Sequence, residues 1–103
     1  MPTASRPFPI HELKCWPSYF AAIDAGTKTA ELRKHDRDYK PRDVLVLREY
    51  DPLNGAFTGR RVFVQVTHVT KGGAFGLAEG FSMLSIRHLD KDEARAVAAH
   101  LTK

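Results

Sequence analysis

Apolar residues fall into two kinds of period along this chain, one helical and one alternating, and the switch points between them outline the fold. Trp16, Tyr19, Phe20 and Ile23 recur at i, i+3, i+4 and i+7, which is one apolar face of a helix. Pro17 suits the first turn of that helix, where its missing N–H is not needed, and Gly26 stands where a left-handed C-terminal cap is wanted. Ahead of it, His11 to Cys15 reads as a short strand. After it, Thr29 to Lys34 alternates, with Thr29, Glu31 and Arg33 on one face and Ala30 and Leu32 on the other. Val44 to Leu47 is a continuous aliphatic run, expected to be a strand buried on both faces. The segment Asp51-Pro52-Leu53-Asn54-Gly55 is the turn that returns it.

Val62, Val64 and Val66 alternate with Phe63, Gln65 and Thr67, predicting a long second arm from Arg61 to about Thr70. A loop with four glycines, Lys71 to Gly80, leads to a last strand from Phe81 to Arg87, with Leu84 and Ile86 pointing one way and Met83 the other. Asp90, with Glu93 three residues on, caps a C-terminal helix running to about residue 102. Its apolar stripe is Ala94, Val97, Ala98 and Leu101, and it is expected to pack on the sheet. The resulting order is β, α, β, β, β, β, α. Two helices are too few to cover a parallel sheet, so the expected architecture is α+β, a small curled or barrel-like mixed sheet.

A chain of 103 residues, 43% hydrophobic, supports one modest core. We expect a flexible tail over residues 1–9, where three prolines withhold backbone donors, and a single domain over 10–103. Cys15 is the one cysteine, which excludes an intrachain disulfide and a Cys-rich zinc site and fits a reducing, cytoplasmic setting. No apolar run approaches the roughly 18 residues of a membrane span, and no signal-peptide core is evident. The five histidines, His11, His35, His68, His88 and His100, show no recurrent ligand spacing, so neither a metal nor another cofactor is expected.

The formal charge of +4 changes the picture mainly through its location. Between Lys28 and Arg42 six basic residues face three acidic ones, so three of the four net positive charges sit in that stretch. It opens with Gly26-Thr27-Lys28-Thr29-Ala30-Glu31-Leu32-Arg33, a cation, a hydroxyl, a carboxylate and a guanidinium just past a helix stop. Arg33 suits a phosphate or a base edge, Glu31 suits an exocyclic amine or the part of a base, and Lys28 suits a phosphate. A purely structural ion pair between Glu31 and Arg33, two apart on one strand face, accounts for the same residues.

These residues, with the preceding helix, Gly26 and the following Asp36-Arg37-Asp38, resemble ASCH-like domains of the PUA-like superfamily, closest to an uncharacterised family of small phage and bacterial domains. The similarity extends over His11-Glu12-Leu13-Lys14, the Val44 to Tyr50 strand with Glu49, the Asn54-Gly55 and Thr58-Gly59 turn, and Leu84-Ser85-Ile86-Arg87. It implies a PUA-like β-barrel with a cleft beside the helix, and RNA or a nucleotide as partner. Lys28, Thr29, Glu31, Arg33, Arg37 and Tyr39 are the candidate binding residues. Some relatives in that superfamily remove an acetyl group from a modified cytidine with a Lys and a Thr three residues later. Here that later position is Glu31, and Thr29 lies one residue after Lys28. A metal-independent hydrolase, whether such an N4-acetylcytidine amidohydrolase or a ribonuclease, would use Lys28 and Glu31 as reacting groups, with Glu49 or Glu79 as a third. A phage or host interaction module is the remaining alternative.

Three other features weigh less. Gly72-Gly73-Ala74-Phe75-Gly76 lacks the Gly-Lys-Ser/Thr ending of a phosphate loop and reads as a mobile connection or a lid. Trp16, Tyr19 and Tyr39 are aromatics that suit base stacking, Tyr39 first among them, although helical spacing puts Trp16 and Tyr19 equally well in a core. Cys15 reads as a small buried hydrophobe.

Overall fold

The computed structural model describes residues 8–34 and 37–101. The elements are β1 (Ile10–Cys15), α1 (Pro17–Asp24), β2 (Ala30–Lys34), β3 (Val44–Asp51), β4 (Ala56–Lys71), β5 (Phe81–His88) and α2 (Lys91–Leu101). The five strands form one curled mixed sheet, a half-barrel in the order β1-β3-β4-β5-β2, so β1 and β2 are its two edges. β1 pairs with β3 in parallel, and the other ladders are antiparallel. The element order is the one the periodicities predict. β4 begins five residues earlier than expected, because the β3–β4 ladder runs on to Asp51 opposite Ala56 beyond an irregularity between Arg48 and Tyr50. The expected tail falls largely on residues 1–7, outside the described residues. Pro9 is already anchored, its carbonyl accepting from Val44 N at 2.9 Å.

Alternation along each strand separates two apolar layers. Leu13, Cys15, Leu45, Leu47, Val62, Val64, Val66, Leu84 and Ile86 meet Phe20 and Ile23 of α1 on the concave side. Val44 and Val46 point the other way, against Val97 of α2, with Ile10, Phe63, Leu89 and Leu101 around them. This two-sided burial explains why the β3 sequence is aliphatic without alternation. α2 is held at its start by a reciprocal cap: Glu93 N donates to Asp90 Oδ1 at 2.8 Å, and Asp90 N donates to Glu93 Oε1 at 2.9 Å.

Two predicted surfaces differ from the structure. The stripe on α1 splits, with Phe20 and Ile23 buried but Trp16 and Tyr19 more than half exposed. α1 has only eight residues, and its concave-side contact takes in Phe20 and Ile23 alone. The loop between β4 and β5 is tied by its own backbone bonds, Gly72 N to Phe81 O at 2.8 Å and Gly73 N to Leu77 O at 2.7 Å. A side chain at Gly72 would meet the Ala78 carbonyl at 1.9 Å, so glycine there is a packing requirement. Of α1 and α2, neither is long and apolar enough to cross a membrane.

Candidate functional site

Two of the three charged residues of β2, Glu31 and Arg33, point inward, while Lys34 at its end is exposed. Glu31 is buried and Arg33 largely so, whereas Leu32 between them is exposed on the outer face. The usual polarity of an edge strand is thus inverted, and the cost of burying a carboxylate has to be met by its neighbours. Arg33 Nε and Nη2 both donate to Glu31 Oε2, at 2.8 and 2.5 Å, and Lys28 Nζ donates to Oε1 at 3.3 Å. Lys28 also donates to the Ala30 carbonyl. Arg33 Nη2 reaches across to the opposite edge of the sheet and donates to the Lys14 carbonyl at 2.6 Å. Two cations face one anion, so the cluster keeps one net positive charge.

Lys28 owes its place to the end of α1. Gly26 takes φ +82°, the left-handed conformation that stops the helix, and Thr27 N and Lys28 N both donate to the Ala22 carbonyl at 3.0 Å. The chain then turns directly into β2, which sets Lys28 above Glu31, its ammonium 5.8 Å from the centre of the Tyr19 ring.

The cluster forms the floor of an open cleft of about 520 Å³ lined by Lys14, Cys15, Trp16, Tyr19, Lys28, Glu31, Leu32 and Arg33. That volume falls within the roughly 300–1,000 Å³ of small-molecule sites. Trp16 and Tyr19 supply exposed aromatic surface on the helix side, and Leu32 completes the lining at the rim, along the open edge of β2. Cys15 lies buried at the floor, its thiol pushed up to about 11, first by burial, then by the Glu31 charge, against the opposing pull of Arg33 and Lys28.

Of the candidates named from sequence, Lys28, Glu31 and Arg33 come together as expected. Thr29 is exposed just ahead of β2, its carbonyl accepting from Ile86 N, and it is not part of the cleft lining. Arg37 is exposed and likewise outside the lining. Tyr39 corrects the expectation most sharply: it is 2% exposed, packed in the concave core with its ring edge-on to His11 at 5.0 Å, so its faces are not offered to a base. Asp43, which accepts from Lys40 N and lies 2.8 Å from His11 Nε2, helps fold this segment inward. Asp36 lies outside the described residues.

Glu49 is buried, accepting from Thr58 Oγ1 at 2.8 Å with Arg60 at 3.6 Å, and Glu79 is exposed in the glycine loop; neither lines the cleft. Sequence reasoning did not anticipate the Lys14 carbonyl, Cys15 or Leu32 as parts of the site. The placement of Trp16 was legible in principle, since a residue just ahead of Pro17 stands at the helix boundary and not on its packed face.

Residues 10–86 match the family model described as a domain of unknown function, DUF3850. The chain belongs to the DUF3850 family. The match takes in all five strands but for the last two residues of β5, together with α1 and the whole cleft, and leaves α2 outside. This DUF3850 chain is also similar to a protein of Escherichia phage P2, an uncharacterised 12.9 kDa protein in the GpA 3′ region. The two are 46% identical over 61 residues, which is 59% of this chain and 54% of the relative, so the similarity spans about half of that protein's length.

Proposed function

We propose that this DUF3850 domain is a nucleic-acid or nucleotide-binding module whose cleft takes one base and its adjoining phosphate. The observation that carries this reading is the exposure of Trp16 and Tyr19 beside a pre-ordered Lys28–Glu31–Arg33 cluster. Large aromatic faces left in water beside fixed donors suit a flat heterocycle, which stacks on the rings while its polar edge meets the charged floor. Lys28, the more exposed of the two cations at 29%, suits the phosphate. An ASCH-like, PUA-like assignment and a cytoplasmic setting go with this reading, in keeping with the curled mixed sheet and the lone buried thiol.

Binding is favoured over hydrolysis by the state of Glu31. Three of the roughly four acceptor positions of a carboxylate are taken up by Arg33 and Lys28, leaving little capacity to accept a proton from a nucleophile.

Trp16 is the only tryptophan of the chain, so its emission reports on the cleft directly. Titration with nucleoside monophosphates and with single-stranded RNA is expected to quench that emission saturably. Tyr19→Ala should weaken binding by about tenfold or more, since stacking on one ring contributes on the order of 1–3 kcal/mol. Its ring is 57% exposed, so the fold should be unaffected, whereas Phe20→Ala one residue on removes a buried ring and costs about 3–5 kcal/mol of stability. Absence of quenching by any nucleotide or RNA with the folded protein would discard this reading.

A further inference from the structure

Three cations lie side by side on the outer face of the sheet, one on each of three adjacent strands. The parallel register sets Lys14 of β1 opposite Arg48 of β3, and the antiparallel register sets Arg48 opposite Arg61 of β4. With strands about 4.8 Å apart, the row spans roughly 10 Å. Like charges directly opposite one another destabilise a sheet unless something compensates them.

No described carboxylate does so. Among the described residues, Lys14, Arg48 and Arg61 make no ion pair, whereas Arg33, Arg60, Arg87 and Arg95 each reach an Asp or Glu. Each cation of the row rests instead on a ring: Lys14 Nζ is 4.3 Å from the centre of Tyr50, Arg48 is 4.0 Å from Phe57, and Arg61 is 5.1 Å from Phe63. A ring face holds a cation in place without cancelling its charge. The row is therefore positioned and still electrically unsatisfied. Arg48 and Arg61 open onto a second cleft of about 380 Å³ that they share with Arg60, Phe57 and a single carboxylate, Glu12. Lys14 meets the first cleft through its backbone carbonyl and the row through its ammonium, so this edge residue stands between the two.

We propose that Lys14, Arg48 and Arg61 form a phosphate track, and that the ligand of this domain is a single-stranded nucleic acid whose flanking backbone lies across β1, β3 and β4. The proposal rests on the reading of the Trp16–Tyr19 cleft as a base site. A base entering that cleft must be unpaired, and the backbone leaving it meets Lys14 first, then the two guanidinium groups, which suit phosphate oxygens.

The test compares the wild type with Arg48→Gln/Arg61→Gln, which keeps the side-chain stems on their rings and removes a like-charge opposition, so the fold should be retained. A labelled single-stranded RNA of about ten nucleotides is titrated by anisotropy between 50 and 200 mM salt, and a nucleoside monophosphate is titrated by Trp16 quenching. Loss of two phosphate contacts on a single strand should reduce the salt slope by about 1.4, so that across this range the variant loses about sevenfold less affinity than the wild type. Mononucleotide quenching should be unchanged. An unaltered slope and oligonucleotide affinity, with mononucleotide binding intact, would overturn the track and leave the cleft standing. Tighter binding of a duplex of equal length would overturn the single-stranded assignment. Failure of the folded wild type to bind either ligand would overturn both the track and the cleft reading.

Discussion

Arg33 on one edge strand donates to the carbonyl of Lys14 on the other, at 2.6 Å, and so ties together the two edges that the curled sheet leaves unclosed. The same guanidinium holds the buried Glu31 carboxylate, which makes one side chain responsible both for the seam of the half-barrel and for the floor of the cleft.

Replacing Arg33 by Met keeps the stem and removes the charge, leaving Glu31 with Lys28 alone. Breaking one partner of a buried pair costs about 3 kcal/mol or more, because the remaining charge stays in a poorly solvated place. The urea midpoint of Arg33→Met is expected to fall accordingly with little change of slope. The double variant Glu31→Gln/Arg33→Met should recover part of the loss, since it removes the stranded charge. A midpoint identical to wild type would mean that the seam is held without this clamp.

Acid should loosen the junction between β5 and α2. The Arg87 guanidinium, followed by the Asp90 backbone, lowers the Glu93 carboxyl from 4.5 to about 2, and Arg87 is correspondingly raised by its bond to Glu93. A carboxyl whose folded value lies below its unfolded one adds stability that is fully present above about 4.5 and is lost as the pH falls toward 2. Thermal melts of wild type and Glu93→Gln should therefore differ at pH 6 and converge by pH 2. A gap that stays constant across this range would assign the contribution of Glu93 to its neutral hydrogen bonds.

Cys15 should resist alkylation at pH 8 in the folded protein. With the thiol held near 11 in place of an ordinary 9, the thiolate population is lowered about 100-fold. Iodoacetamide labelling is expected to keep rising about tenfold per pH unit from 8 to 10, without the levelling near 9 of a free thiol. Levelling near 9 in the folded protein would place the thiol in a wetter setting than its burial beneath the cleft implies.

The local elements were legible because each rests on a short-range period. The helical stop at Gly26, the turn at Asp51 to Gly55, the two-faced burial of Val44 to Leu47 and the Asp90–Glu93 cap all involve residues within a few positions of one another. The Lys28–Glu31–Arg33 cluster belongs to the same class, since a helix stop followed at once by a strand is enough to gather it. Trp16 and Tyr39 show where such reasoning ends. Their exposure depends on what the rest of the chain lays over them: α1 turns Trp16 away from the concave sheet, and the segment leading to β3 folds Tyr39 beneath His11.

By itself the sequence determined the element order, the α+β class and one charged cluster, all set by local propensity and the alternation of apolar residues. Only the tertiary structure decided that β2 turns Glu31 and Arg33 inward, that Arg33 spans the seam to Lys14, and that Lys14, Arg48 and Arg61 share a row. These depend on strand order and register between segments far apart in the chain, which the burial of both faces of β3 and the curl of the whole sheet select, and which no local period encodes.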